Sequence, residues 1–376
     1  MTETVFRNAT LVLADETVRG SLLIRDGMIA EAGGTGGSGG EDLEGDFLLP
    51  GLVELHTDQL ENHYRPRPGV FWNPLAALHA HDAQIVASGI TTVFDAVRIG
   101  SDHDIVDMAP HARKLLDAIE TGRRQGWLRA EHLIHLRCEL PSHDVVAHFE
   151  EFAPGPGVRL ASLMDHTPGQ RQFRSLEAYR RFYKGGRTEA ELEQFIADRL
   201  TEHARHAPPN RQRIVALGHQ LGLTLASHDD ATLAQIEDGR RDGVRIAEFP
   251  TTLEAARAAH EAGQSILMGA PNVVRGGSHS GNMAATELVK EGLLDVLSSD
   301  YVPFALLQAA FLLPELVEGF SLAAALRLVT LNPAQAAGLD DRGELAAGKR
   351  ADLVRVRMVD GMPVVRAVWR GGERVS

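Results

Sequence analysis

The sequence predicts an α/β protein: a (β/α)8 barrel of the TIM type with a small flanking β-sandwich domain formed by the N- and C-terminal segments. Three observations carry that prediction. The chain has 376 residues, too many for one small domain and enough for a barrel of about 250 residues with a smaller partner. Its middle alternates short apolar runs with amphipathic helical stretches, the pattern of a parallel sheet with crossover helices. Both ends read as short strands, with too few residues at either end to build a core alone.

At the N-terminus, Thr10-Leu11-Val12-Leu13 and Ser21-Leu22-Leu23-Ile24 are β-type runs, and Asp26-Gly27 is a hairpin turn ahead of Met28-Ile29. At the C-terminus, Asp352 to Val356 and Val364 to Trp369 are strand-like, and Gly371-Gly372 reverses the chain. Residues 1–49 and 335–376 are therefore assigned to one small β domain, and 50–334 to the barrel. Eight barrel strands are expected to end near His56, Asp95, Glu139, His166, His228, Glu248, Asn272 and Asp300. Residues 74–88, 189–206 and 252–262 supply helices. Nearly every strand ends on an ionisable side chain, at the end of the barrel where active sites lie.

Composition narrows the function. Charged residues make up 24%, hydrophobic residues 44%, and the formal charge is -13, which argues against a nucleic-acid surface or an anionic membrane, since both select clustered Lys and Arg. No run is apolar enough to span a bilayer, and the first residues lack a signal-peptide layout, so a cytoplasmic enzyme is expected. The lone Cys138 excludes a cysteine-cluster metal site within this chain and reads as core packing, whereas 17 histidines remain for imidazole and carboxylate ligation. The glycine run from Gly33 to Gly40 lacks the Lys-Ser/Thr ending of a phosphate loop and reads as a connector. Residues 171–213 read as a solvated helical excursion in which Arg171, Lys184 and Arg187 could close over an anion.

The strongest local signal is Leu48-Leu49-Pro50-Gly51-Leu52-Val53-Glu54-Leu55-His56-Thr57-Asp58. Residues two apart on a strand share a face, so His56 and Asp58 offer one nitrogen and one carboxylate to a metal at the barrel mouth. This stretch resembles the opening metal motif of the amidohydrolase superfamily, with His-x-Asp in place of the commoner His-x-His. The likeness covers nearly the whole chain: residues 21–29 are similar to the family's β domain, and Thr330 to Ala334 with residues 343–353 to its return segment. The run from His56 to His63 is similar to a branch that acts in the carbon-phosphorus lyase pathway, where it hydrolyses alpha-D-ribose 1-methylphosphonate 5-triphosphate rather than an amide.

The resemblance implies a ligand set and a mechanism. His56, Asp58, Glu139, His166, His228 and Asp300 would hold two divalent ions, zinc first, with manganese or iron as alternatives. Glu139 would bridge them where many members use a carbamylated lysine, and Asp300 would also accept the proton of the attacking water. Asp300 also fits a plain helix N-cap. Glu61 and His63 would stand behind the ligands. The Gly269-to-Asn282 segment reads either as a plain loop or as a phosphate cradle, with Arg275, Gly276, Gly277, Ser278 and His279 facing the triphosphate. Arg137 and Lys184 would add positive charge. The expected partner is a small anionic phosphorylated molecule, with a homodimer as the assembly. Two other readings stand beside this one: hydrolysis of a cyclic amide or N-acyl substrate, and a non-catalytic metal-binding subunit of a phosphonate-processing assembly.

Overall fold

A computed structural model describes residues 2–34, 39–101, 108–169, 171, 176–278 and 282–376. The chain opens with β1 (Glu3–Val12), β2 (Thr17–Arg25), β3 (Met28–Gly34), β4 (Glu41–Asp42) and β5 (Phe47–Pro50). Then come β6 (Leu52–Thr57), α1 (Gln59–Tyr64), α2 (Pro74–Ala87), β7 (Ile90–Ile99), α3 (Ala112–Arg124), β8 (Glu131–Glu139), α4 (Val145–Phe152) and β9 (Val158–Met164). The excursion α5 (Leu176–Tyr183) and α6 (Glu189–Gln220) leads to β10 (Thr224–His228), α7 (Leu233–Arg241), β11 (Ile246–Glu248), α8 (Leu253–Glu261) and β12 (Ser265–Gly269). After α9 (Ala270–Arg275), α10 (Ala285–Lys290), β13 (Val296–Ser298), α11 (Ala305–Leu316), α12 (Leu322–Arg327) and α13 (Leu331–Ala336), the chain ends in β14 (Leu353–Val359), β15 (Met362–Arg370) and β16 (Glu373–Arg374).

The terminal strands form one mixed sheet, ordered β16-β15-β14-β5-β1-β2-β3 with β4 beside β1. Asp26 and Gly27 both have positive φ and join Arg25 to Met28, the type I′ geometry that matches strand twist. Asp360-Gly361 repeats the device between Val359 and Met362. The sheet curls back on itself. Phe6 on β1 and Trp369 on β15 stand three strands apart, about 14 Å if flat, yet their rings meet at 4.8 Å. They close over Leu11, Leu22, Ile24, Leu48 and Leu353, all buried. Buried Asp46 ties β14 to the turn before β5 by accepting from Arg355 Nε at 2.6 Å and Arg357 Nε at 2.7 Å. Burial would raise its carboxyl pKa, but the two guanidiniums hold it below the usual value.

The second sheet is the barrel, eight strands in the order β6-β7-β8-β9-β10-β11-β12-β13. Its pairs are parallel, and Thr57 beyond β6's centre bridges Asp300 just past β13. Every residue of β6 is buried, as expected for a strand covered on both faces. Local signals set the helices: the Asn73 side chain accepts from the amides of Leu75 and Ala76 ahead of Pro74, and Thr188 with Glu191 closes a capping box on α6. Among the described residues no helix is long and apolar enough to cross a membrane.

Several boundaries differ from the sequence reading. β9 stops at Met164, two residues short of His166, and β7 runs on past Asp95 to Ile99. Asn272 does not end the seventh barrel strand: β12 ends at Gly269, and Asn272 lies inside α9, because Pro271 suits the first turn of a helix. α6 continues past residue 206 through Pro208-Pro209 to Gln220, where buried Ala207 and Ile214 offset the lost backbone bonds. The chain divides into two compact units, Met1–Asp95 with Ala118–Leu133 and Met268–Ser376, and Ala96–Asp117 with Ile134–Leu267.

Candidate metal centre

In the first unit, alternation along β6 places Glu54 and His56 on one face, and both are buried. Glu54 joins β6 to the end of β13. Its Oε1 lies 2.7 Å from Ser298 Oγ and accepts from the His56 amide at 2.6 Å, while Oε2 accepts from the Ser299 amide at 2.5 Å. Burial pushes the Glu54 carboxyl up to about 7 despite these donors. Asp300 follows in the left-handed region, φ +54°, with Thr57 Oγ1 donating to its carbonyl at 2.8 Å and its own amide donating to Ser298 Oγ at 3.2 Å. A non-glycine residue held there by these two bonds is a conformation that surrounding structure must enforce. Asp58 precedes α1, but its side chain makes no cap bond to that helix.

In the second unit, β8 presents His135, Arg137 and Glu139 on one face, all buried. Glu139 Oε2 lies 2.6 Å from His166 Nδ1, and Oε1 accepts from the His166 amide at 3.1 Å with Arg199 Nη2 at 3.7 Å. Burial opposes both charges, yet His166 and Arg199 hold Glu139 below the usual carboxylate range, and Glu139 in turn raises His166. His228 stacks edge-on to His166 at 5.8 Å, and its Nδ1 lies 3.0 Å from Glu248 Oε2. Asp229, also left-handed at φ +56°, reaches within 3.4 Å of His228 Nε2, and burial pushes its carboxyl up to about 7. Glu248 is raised to about 7 by burial as well. Ligand atoms from His166, His228 and Asp229 all lie within 4.8 Å of one another.

A third cluster lies in the first unit and is wholly buried. Asp95 on β7 is shared by His81 Nε2 and His132 Nδ1, each at 2.7 Å, and His132 Nε2 faces Asp82 Oδ1 at 3.3 Å. Each nitrogen on Asp95 sits at hydrogen-bond distance from its own carboxylate oxygen, which marks a proton-sharing network. Burial would lower His132, but Asp95 and Asp82 raise it to about 9. His63 approaches the edge of this cluster, 5.9 Å from the His81 ring, and bonds Gln84 at 2.8 Å.

Residues 128–376 match the amidohydrolase family. The chain belongs to that family. Among known proteins it is similar to the alpha-D-ribose 1-methylphosphonate 5-triphosphate diphosphatase of Escherichia coli (strain K12), 49% identical over 99% of this chain and 100% of that one. Among solved structures it resembles 5-methylcytosine deaminase from Klebsiella pneumoniae, 16% identical with a TM-score of 0.65, covering 99% of this chain and 98% of that one. It also resembles molinate hydrolase, 15% identical with a TM-score of 0.66, covering 99% and 94%. These structural likenesses carry the fold alone.

In this amidohydrolase the imidazole and carboxylate donors suit a first-row divalent ion, and the grouping of His166, His228 and Asp229 beside Glu139 fits one. Other expected residues fare differently. Arg275 and Gly276 are exposed, and Gly276 at φ +79° is the left-handed cap of α9. The amides of Gly276 and Gly277 donate back to Val273 and Asn272 at 3.1 and 2.8 Å, so they are spent on ending a helix and do not cradle phosphate. Ser278 is half-buried, and His279 lies outside the described residues. Lys184 is exposed in the turn before α6, and Arg137 is buried beside Glu248. Arg171 and Arg187 do not reach for an anion: Arg171 bonds the His228 carbonyl and Asp230, and Arg187 stacks on Phe195. Glu61 is half-buried on α1. Glu54, Arg199, Asp229 and the role of Glu248 escaped the sequence reading. Only Glu54 carried a signal, two residues before His56 and on the same face of the strand.

Proposed function

We propose that this amidohydrolase hydrolyses alpha-D-ribose 1-methylphosphonate 5-triphosphate to the 5-phosphate and pyrophosphate in phosphonate catabolism. The full-length similarity to the E. coli diphosphatase carries this reading. One water adds across the anhydride joining the first and second phosphoryl groups, and pyrophosphate leaves with the displaced bond's electrons. We assign His56, Asp58 and Asp300 of the first unit and Glu139, His166 and His228 of the second as the ligands of two divalent ions. Zinc is the first candidate; manganese and iron suit the same N and O donors. When bound, such ions neutralise phosphoryl charge and lower the pKa of the attacking water.

The remaining steps belong to the chain. Asp300 takes the water's proton, its carboxylate aimed by the left-handed backbone and by Thr57 and Ser298. Glu139 is held ionised by His166 and Arg199 and would thus offer a carboxylate ligand to a cation. Arg275, Ser278, His279 and Lys184 are the candidate side-chain contacts for the leaving phosphates. The substrate is a small anion that does not cross membranes unaided, so a cytoplasmic place fits, with neither nucleic acid nor membrane as partner and a homodimer as the assembly.

The test is product analysis by phosphorus NMR on the ribosyl triphosphate, set beside a dihydropyrimidine and an N-acyl sugar. Pyrophosphate release in the wild type, reduced about a thousandfold or more in Asp300→Asn, supports the reading. Turnover of a carbonyl substrate with no phosphate product overturns it, and wild-type behaviour in Asp300→Asn overturns the role given to Asp300.

A further inference from the structure

Between α1 and α2 the chain makes an arm, Arg65-Pro66-Arg67-Pro68-Gly69-Val70-Phe71-Trp72, that no role described so far uses. The arm is built to be stiff. Two prolines fix φ, Gly69 at φ +76° follows Pro68 in a tight turn, and Arg67 bridges Val70 across it with a 3.0 Å backbone bond. At its base the Trp72 amide donates to the Tyr64 carbonyl at 2.7 Å, Phe71 packs on buried Tyr64 with ring centres 5.4 Å apart, and Asn73 is committed to capping α2. Despite this rigidity the arm buries little: Val70, Phe71 and Trp72 are 42%, 41% and 60% exposed. Arg65 and Arg67, on either side of Pro66, make no ion pair with any described acidic residue, in a chain of net charge -13.

Topology says what such an arm faces. It leaves the C-terminal end of β6, seven residues after Asp58, and returns at the N-terminus of α2, so it belongs to the barrel face where substrates bind. The helix that separates it from Asp58 is about 9 Å long, the scale of a sugar carrying a phosphoryl group at one end and a phosphonate at the other. We propose that this arm recognises the phosphonate-bearing end of the substrate, with Arg65 and Arg67 pairing the phosphonate and the exposed aromatic edge packing on the ribose. This rests on the triphosphate reading above and adds to it: the metal ligands and Asp300 act on the triphosphate, and the arm selects the ribosyl phosphonate. Planar guanidinium groups are suited to a tetrahedral phosphonate because they donate in pairs.

Arg65→Ala, Arg67→Ala and the double variant lie on an exposed arm, and Arg67→Lys keeps the charge without the fork. With metal-loaded enzyme, kcat and KM are measured on the ribosyl triphosphate. Competitive inhibition constants are then measured for alpha-D-ribose 1-methylphosphonate 5-phosphate and for ribose 5-phosphate. The arm predicts that the double variant raises KM and the inhibition constant of the phosphonate ligand about 10- to 100-fold, leaves kcat and the ribose 5-phosphate constant unchanged, and that Arg67→Lys recovers part of the loss. Unchanged phosphonate inhibition, or an equal rise for both inhibitors, overturns it. A wild type that binds the phosphonate ligand but releases no pyrophosphate refutes the triphosphate reading and not the arm.

Discussion

Replacing Asp95 with Asn removes one charge from a cluster that has no solvent contact, and the structure fixes both the size and the pH dependence of the result. His132 lies between Asp95 at 2.7 Å and Asp82 at 3.3 Å, and these carboxylates overcome burial to keep its proton until about pH 9. The unfolded chain releases that proton near 6.5, so the bound proton stabilises the fold by about 3 kcal/mol. Because the folded pKa is the higher one, this stability is fully present below pH 6.5 and is lost as pH rises through 9. Asp95 itself is held below its usual value, so its share is present above about 3.8 and is lost on acidification. Asn keeps the shape but not the charge. Asp95→Asn is therefore expected to destabilise by about 3 to 5 kcal/mol at pH 6.5, and by distinctly less at pH 9.5, where the wild type has also lost the proton. Some cost persists at high pH because the bond to His81 is weakened at any pH. Denaturant unfolding of both proteins at the two pH values, with bound metal held constant, reads the difference. A loss below about 1 kcal/mol at pH 6.5, or the same loss at both pH values, would refute the charged network.

Two further substitutions probe the frame around the site. Arg342 is buried and reaches Glu131 and Thr92, each at 2.8 Å, so Arg342→Ala leaves Glu131 to Arg350 alone and should lower unfolding stability by about 3 kcal/mol without changing KM. Glu54→Ala strands the donors on His56, Ser298 and Ser299; at about 1 kcal/mol or more each, a loss near 3 kcal/mol is expected. Because Asp300 follows directly, kcat should fall along with Tm, whereas Arg342→Ala should move Tm alone.

Much of this architecture was legible because the deciding signals are local. Asp26-Gly27 marked the first hairpin and apolar runs marked the barrel strands, whereas the two-residue period that paired His56 with Asp58 runs past the strand, since β6 ends at Thr57 and Asp58 opens α1. What was not legible depends on contacts between distant segments. His81, Asp95 and His132 come from α2, β7 and β8, and on α2 alone the pair His81-Asp82 reads as a solvated polar patch although both side chains are buried. Arg199 sits in a charged helix that looks solvent-facing throughout, yet it is buried against Glu139. The glycines after Arg275 were ambiguous for a physical reason: positive φ serves a phosphate loop and a helix end equally well, and only the direction of the amides, back toward Asn272 and Val273, separates the two. Asp229 and Phe249 adopt left-handed backbone that their residue types do not announce.

The account rests on strand-end imidazoles and carboxylates holding divalent ions, and counting those ions tests it directly. Elemental analysis of the wild type, His166→Ala and His228→Ala, each saturated with zinc and desalted, should give two equivalents per chain in the wild type and at least one fewer in each variant. A wild type that retains no metal, or variants that retain as much as the wild type, would contradict it.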